Sequence, residues 1–107
     1  MVNNNISEVI EILKNSTNEL LPGSRILLFG SRARQENSKD SDYDFMIITK
    51  DTLDIKQKWF LQSQLRKKLA RHRIPADILI QSEDEISVKK EINGHIVREI
   101  MKEGVTI

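Results

Sequence analysis

The first apolar pattern of the chain repeats at the spacing of an α-helix. Four side chains follow one another three or four residues apart, which places them on one helical face: Ile6, Val9, Ile10 and Leu13. Pro22-Gly23 cannot continue such a helix. The pattern therefore predicts a first helix from about residue 6 to residue 20.

Two short apolar runs on either side of a polar loop are typical of β-strands. The first, Ile26 to Phe29, stops at Gly30-Ser31, and the second opens at Asp42 and continues to about Thr49. The second run is apolar on both faces, so we expect helices to cover both sides of the sheet. The loop between the strands is predicted to begin with a short helix from Ser31 to Gln35.

A long helix is predicted from about Leu53 to His72, with Asp51 or Thr52 as its cap and Ile74-Pro75 as its end. We expect Phe60, like Phe45 on the second strand, to pack in the core rather than stack on bases. The predicted buried side of this helix consists of Ile55, Trp59, Leu61, Leu65 and Leu69.

The last third of the chain predicts a strand over 76–80 and helical sequence that continues to about Glu103. Ser82 and Glu85 fit a capping box at its start, and Gly94 is a candidate break between two shorter helices. An extended tail, 105–107, follows. The element order αβ(α)βαβα predicts an α/β fold, with a small mixed sheet of three main strands flanked by helices. The expected buried stripe of the last helical stretch is Ile92, Ile96, Ile100, Val97 and Met101.

Length and composition limit what this protein can do. The 107 residues suit one domain, 1–107, and the net charge of only +1 does not favour nucleic acid as a direct acceptor. The absence of cysteine excludes disulfides and thiolate metal sites. The polar start, residues 1–5, does not resemble a signal peptide, and no apolar run approaches the roughly 18 residues that a membrane span needs. We expect a cytoplasmic protein that does not bind membranes.

Two carboxylates stand at the start of the second strand. Asp42 and Asp44 are two residues apart, so they share a face and lie about 6 to 7 Å apart at their Cα atoms. Like charges this close repel, and folding gains nothing from the arrangement without a cation. Ligands that supply only oxygen favour magnesium, or manganese in its place.

The loop before these carboxylates has the features of a phosphate cradle. Gly30 lets the backbone approach a ligand, and Ser31 offers a hydroxyl and an N–H group at a helix start, where phosphates bind. Antiparallel pairing of the first two strands would bring this loop beside Asp42 and Asp44. A helical crossover makes the second and third strands parallel, which carries Asp77, at the start of the third, towards the same edge. Three carboxylates there suit a pair of magnesium ions.

The spacing of these residues resembles a known family. Gly30-Ser31, ten residues, Asp42-x-Asp44 and the later Asp77 look like the nucleotidyltransferase superfamily that includes DNA polymerase beta. The short length and the segment GSRAR resemble its minimal nucleotidyltransferases from bacteria and archaea. Two positions depart from the usual pattern. Gln35 stands where a glycine often follows, and Tyr43 replaces an aliphatic residue, which leaves loop shape and nucleotide fit open.

The resemblance implies an enzyme and a role for each site residue. Asp42 and Asp44 would hold both metal ions, and Asp77 would bind the catalytic one and help to deprotonate the acceptor hydroxyl. Gly30 and Ser31 would hold the β- and γ-phosphates. Apart from the resemblance, Arg32 and Arg34 are candidate contacts to the nucleotide phosphates or to a partner. The reaction moves a nucleoside monophosphate, AMP by analogy, from ATP or another nucleoside triphosphate to a hydroxyl group and releases pyrophosphate.

Nothing in the residues names the acceptor. Minimal nucleotidyltransferases commonly pair with helical proteins of the HEPN type as toxin–antitoxin modules, which implies an antitoxin that adenylylates its partner. A second copy of the chain could also complete the site. Two alternatives stay open: a non-catalytic antitoxin or nucleotide-binding subunit that acts by occlusion, and a transferase for a small molecule such as an aminoglycoside. Histidines 72 and 95 are interpreted as structural or surface residues, and the basic run from Arg66 to Arg73 as a solvated helix face.

Overall fold

The computed structural model describes residues 6–36 and 42–107, so the polar start and part of the loop before Asp42 lie outside the described residues. The order of elements agrees with the prediction, except that the last helical stretch is divided and a short fourth strand follows. The elements are α1 (Ile6–Leu20), β1 (Arg25–Phe29), α2 (Gly30–Ala33), β2 (Tyr43–Thr49), α3 (Ile55–Ala70), β3 (Ala76–Ser82), α4 (Glu83–Lys89), α5 (Ile96–Glu103) and β4 (Val105–Thr106).

The strands form one mixed sheet in the order β3-β2-β1-β4. β1 and β2 pair antiparallel, whereas β2 and β3 pair parallel, as their connections predict. β4 extends the sheet by two residues that pair antiparallel with β1. The ends of β1 and the starts of β2 and β3 therefore lie at one edge of the sheet, which we call the carboxylate edge because Asp44 and Asp77 lie there.

Helices cover both faces of the sheet. Alternate residues of β2 point into two separate apolar clusters, with Phe45 and Ile47 in one and Met46 and Ile48 in the other. The first cluster includes buried residues of α1 and α3, and the second includes those of α4 and α5. This confirms that a strand apolar on both sides is covered on both sides.

α3 begins later than predicted and turns a different side to the core. Asp54, not Asp51 or Thr52, caps it, through a capping box with Gln57. Leu65 and Leu69 are buried as predicted and Leu61 is half-buried. The predicted burial of three large side chains is wrong: Ile55, Trp59 and Phe60 are 61, 62 and 61% exposed.

The error at α3 arose from the helical phase. Lys58, three residues before Leu61 and seven before Leu65, occupies the inner side of the first turns. Its side chain is 15% exposed, and its Nζ donates to Glu85 Oε2 at 2.6 Å. Trp59 and Phe60 are consequently turned away from the sheet. Phe45, on β2, lies in the core as predicted.

The C-terminal helical stretch breaks where Gly94 adopts a φ of +79°, a conformation that favours glycine. The Ser82–Glu85 capping box is confirmed at the start of α4, and His95 Nδ1 accepts from the Val97 N–H at 3.1 Å to cap α5. The break resets the helical phase, so Val97 and Ile100 are buried as predicted, whereas Ile92 and Ile96 are 47 and 54% exposed. Across residues 6–36 and 42–107, none of the helices has the length and apolarity to cross a membrane.

Candidate active site

Two of the three carboxylates are direct neighbours across the sheet. Asp44 and Asp77 are register partners on the parallel strands β2 and β3, so their side chains leave the same face of the sheet. Asp42 precedes β2, and the Tyr43 N–H donates to the Pro75 carbonyl at 3.0 Å, which fixes the starts of both strands. The crossover topology thus brings Asp77 beside Asp44, as the sequence predicts.

The carboxylates repel one another. Burial raises the pKa of Asp44 above its ordinary value, the charges of Asp77 and Asp42 raise it further, and Arg34 opposes them. Across residues 6–36 and 42–107, no group of three or more Asp, Glu, His or Cys side chains is arranged so that it could hold a metal ion. The three aspartates nevertheless suit magnesium chemically, because this ion prefers oxygen ligands and a nearby cation would relieve the repulsion between the carboxylates.

Gly30 lets the end of β1 approach Asp44. Its φ is +75°, and a Cβ atom built there would collide with the carboxylate of Asp44 and lie 3.1 Å from its Cγ. The loop and the carboxylates are therefore adjacent, as the antiparallel pairing of Phe29 with Asp44 requires. Ser31 follows at the first turn of α2, which spans Gly30–Ala33 rather than the predicted Ser31–Gln35.

The unusual residue Gln35 keeps the turn that a glycine would make. Its φ is +59°, in the left-handed region where glycine is favoured. The Glu36 N–H donates to the Ser31 carbonyl at 2.9 Å and closes the turn. Gln35 thus adopts the glycine conformation at some cost in strain, and the loop shape left open by the sequence is a left-handed turn.

Arg32 and Tyr43 link the loop to β2 on the face away from Asp44. The guanidinium carbon of Arg32 lies 3.9 Å from the centre of the Tyr43 ring, which stacks on Phe45 with centroids 5.8 Å apart. Sequence reasoning missed this link, although the alternation of β2 places Tyr43 opposite the two aspartates and an aromatic ring there is a visible signal.

Arg34 connects the loop to α5. Its side chain pairs with Glu36 at 3.1 Å and with Glu103 at 3.3 Å, and its charge reaches Asp44. The positive charge of Arg34 lowers the pKa of Asp44 and so opposes the effect of the neighbouring carboxylates.

Two cavities lie away from the carboxylates. One of about 380 Å³ adjoins α2 and is lined in part by Arg32, Gln35 and Tyr43. Another of about 410 Å³ lies between α1 and the first residues of β1, at the opposite end of that strand from Gly30. Neither cavity is lined by Asp44 or Asp77, so the candidate site is the carboxylate edge and not one of these two cavities.

The sequence pattern of the family described as Polymerase beta, Nucleotidyltransferase matches residues 7–107. The chain belongs to this nucleotidyltransferase family. The predicted resemblance, the mixed α/β fold and the assignment as a nucleotidyltransferase are confirmed by this match. A protein of Methanocaldococcus jannaschii, named provisionally as a protein adenylyltransferase, is 31% identical over 104 residues, which cover 95% of this chain and 98% of the relative.

Solved structures share the nucleotidyltransferase fold. A toxin–antitoxin structure with AMP-PNP aligns at a TM-score of 0.61 and 20% identity, over 96% of this chain and 72% of the other. A Sulfolobus solfataricus protein described provisionally as a nucleotidyltransferase aligns at 0.61 and 20% identity, over 92% of this chain and 74% of its own. At such identities these similarities establish the fold alone.

Proposed function

We propose that this nucleotidyltransferase transfers AMP from ATP to a hydroxyl group of a partner protein, with magnesium as its metal. The observation that carries the proposal is that Asp44 and Asp77 are register partners on neighbouring strands. Asp42 lies just before β2, and Gly30 lies in close contact with the Asp44 carboxylate. The name of the Methanocaldococcus relative, a protein adenylyltransferase, supports the nucleotide and the class of acceptor.

The reaction exchanges the phosphoanhydride bond between the α- and β-phosphates of ATP for a phosphodiester bond to the acceptor. The acceptor oxygen attacks the α-phosphorus, the bond from that phosphorus to the bridging oxygen breaks, and pyrophosphate leaves. Asp42 and Asp44 would hold two magnesium ions and Asp77 the catalytic one, which would neutralise the charge that develops on the phosphates. Asp77 would also help to take the proton from the acceptor hydroxyl.

The loop residues would position the triphosphate. Ser31 and the N–H groups at the start of α2 follow directly on Gly30, which lies against Asp44. Arg32 lies over Tyr43 on the other sheet face, so it would have to leave this ring to add positive charge beside the phosphates. Gly30 would give the backbone room to approach them.

The partner we propose is a helical protein of the HEPN type, with this chain as the antitoxin of the pair. Solved relatives of the same fold are toxin–antitoxin structures, among them one with AMP-PNP and one described as MntA-HpeT with two aspartates replaced by glutamate. Both align with this chain over 96% of its length.

Label transfer tests this function. The protein, a HEPN-type partner and magnesium are incubated with ATP labelled at the α-phosphate or, in parallel, at the γ-phosphate. We expect the α-label alone to reach the partner, and we expect EDTA or the double variant Asp42→Asn, Asp44→Asn to abolish transfer. Asp51→Asn, an exposed aspartate at the other end of β2, is the matched control.

The same assay separates enzyme from occluding subunit. If the double variant still neutralises the partner fully and no label is transferred by the wild type, the chain works by binding. If label moves to an aminoglycoside instead of the partner protein, the acceptor is a small molecule and the protein–protein part of the proposal is wrong.

A further inference from the structure

The outward side of α3 presents apolar and basic side chains together. Trp59 and Phe60 are 62 and 61% exposed, although the sequence pattern predicted them for the core. Lys56 precedes them, and Arg66 and Lys67 follow on the same side, two turns further along. We call these five residues the α3 outward face.

Charge on this part of the chain has one sign. Residues 55–75 hold seven of the 17 Lys and Arg residues and none of the 16 Asp and Glu residues. Two of the seven pair with carboxylates from elsewhere, Lys58 with Glu85 and Lys68 with Glu19. Among the described residues, the three cations of the α3 outward face form no such ion pair. The complementary surface is acidic.

The direction of α3 relates this face to the site. α3 leaves the C-terminal end of β2 and returns to the start of β3, so its last turn lies at the carboxylate edge. Trp59 and Phe60 lie towards the far end, and the basic residues from Arg66 onwards lie progressively closer to the edge. Asp44 and Asp77 leave the opposite sheet face from α3, so a partner that lies along the helix would reach them by extending round this edge.

We infer that the α3 outward face is the docking surface for the protein acceptor, which binds through an apolar pocket over Trp59 and Phe60 and an acidic segment along Arg66 and Lys67. This inference rests on the proposed function for the identity of the acceptor. Exposed aromatic and arginine side chains are the residue types that anchor protein interfaces, and opposite charge steers the encounter. A net charge of only +1 favours a protein over nucleic acid as the occupant.

Trp59 is the only tryptophan of the chain, so its fluorescence reports directly on docking. We expect its emission to shift to shorter wavelength when a HEPN-type partner is added without nucleotide or magnesium, and also with a synthetic amphipathic helix of leucine and glutamate. Two further measurements test other occupants: oligouridine is added to test RNA binding, and the protein is concentrated without a partner to test self-association. A shift in either of these measurements, or no shift with the HEPN-type partner and none with the peptide, overturns the inference.

Steady-state label transfer gives a second measurement. Trp59→Ser and Phe60→Ser should each raise the KM for the acceptor about tenfold or more and leave the KM for ATP unchanged. Val88→Ser is the matched control, since Val88 is 67% exposed on α4, which packs against the other sheet face. Equal damage from Val88→Ser, or an unchanged acceptor KM, contradicts docking on α3.

The charged part of the surface has its own test. Arg66→Glu and Lys67→Glu should slow association with the partner and weaken its dependence on salt, whereas Lys90→Glu, at the exposed residue directly after α4, should not. If the peptide shifts Trp59 but the HEPN-type partner does not, the surface chemistry stands and the partner named under the proposed function is wrong. If the partner is labelled while Trp59 emission stays unchanged, the function stands and this docking surface is wrong.

Discussion

The two ends of the β2–β3 pair treat their polar side chains in opposite ways. At the C-terminal end, Thr49 and Ser82 are register partners and both are buried. Ser82 Oγ accepts from the Glu85 N–H at 3.1 Å and lies 2.7 Å from Thr52 Oγ1. Thr49 Oγ1 donates to the Asp51 carbonyl at 2.7 Å, so both buried hydroxyls have partners within the protein.

At the carboxylate edge the matching positions are filled by Asp44 and Asp77. Here the pKa of Asp44 is raised by burial and by the neighbouring carboxylates, which means that its charge is unfavourable in the folded protein. One pair of strands thus carries its stabilising contacts at one end and its unsatisfied charge at the other. The difference indicates that the second end is arranged for a ligand and not for stability.

Asp44→Asn is the change that we expect to have the largest effect. It should lower nucleotidyl transfer by about 100-fold or more, because the proposed magnesium ligand, worth several kcal/mol, would be lost. The free energy of unfolding in urea should stay the same or rise, since a repelled charge is removed. A large loss of stability would show that Asp44 supports the fold.

Ser82→Ala should destabilise the C-terminal end of the β2–β3 pair, opposite the carboxylate edge. We expect a loss of about 1 to 2 kcal/mol in the free energy of unfolding, because the capping box and the contact with Thr52 are lost. Transfer activity per folded molecule should not change. Ser87→Ala, on an exposed residue of the same helix, is the control, and equal effects of the two substitutions would contradict this role for Ser82.

The two ends of the β2–β3 pair should also differ in how their carboxyl groups make the stability depend on pH. Burial alone would raise the pKa of Glu85, but hydrogen bonds from Lys58 and Ser82 hold it below its usual 4.5. Glu85 therefore stabilises the fold above pH 4.5, and this contribution is lost as the pH falls through the lowered value.

Asp44 has the opposite sign, because its pKa is raised above 3.8 and its cost disappears as the pH falls below that value. At pH 7, Glu85→Gln should be less stable than the wild type and Asp44→Asn equally or more stable. Both differences should vanish in acid. Urea unfolding from pH 3 to pH 7 checks this, and a difference of the same sign for both variants at pH 7 would contradict it.

The smallest effect is expected at the exposed ion pair that also lies near the C-terminal end of β2. Arg25 and Glu83 are 2.8 Å apart, but each side chain is 48% exposed. Arg25→Ala should therefore change the free energy of unfolding by no more than about 0.5 kcal/mol. Urea unfolding at two salt concentrations measures it, and a loss comparable to that of Ser82→Ala would place surface charge among the main sources of stability.

Sequence reasoning succeeded where a local pattern determines the structure. The apolar alternation of β2, the capping box at Ser82 and the crossover to β3 each depend on a few neighbouring residues, and they suffice to bring Asp77 beside Asp44. The Gly30 approach to Asp44 follows from the same antiparallel pairing.

The pattern failed where one residue shifts a helical phase. Lys58 takes an inward position on α3 because Glu85, from a different helix, supplies its partner. No window of sequence around Trp59 contains that information, so the aromatic side chains were assigned to the core. The Arg32–Tyr43 contact joins two segments across a loop, so the alternation of β2 indicates the face of Tyr43 but not its partner.

Gly30 has a consequence for sequences related to this one. Any side chain at this position meets the space taken by the residue 44 carboxylate, and its φ of +75° strains other residue types. The two positions can therefore vary only together, with glycine retained while the acid is present. A homologue that carries a bulky residue here is expected to have abandoned the acid too, so position 30 could serve as a diagnostic of inactive members.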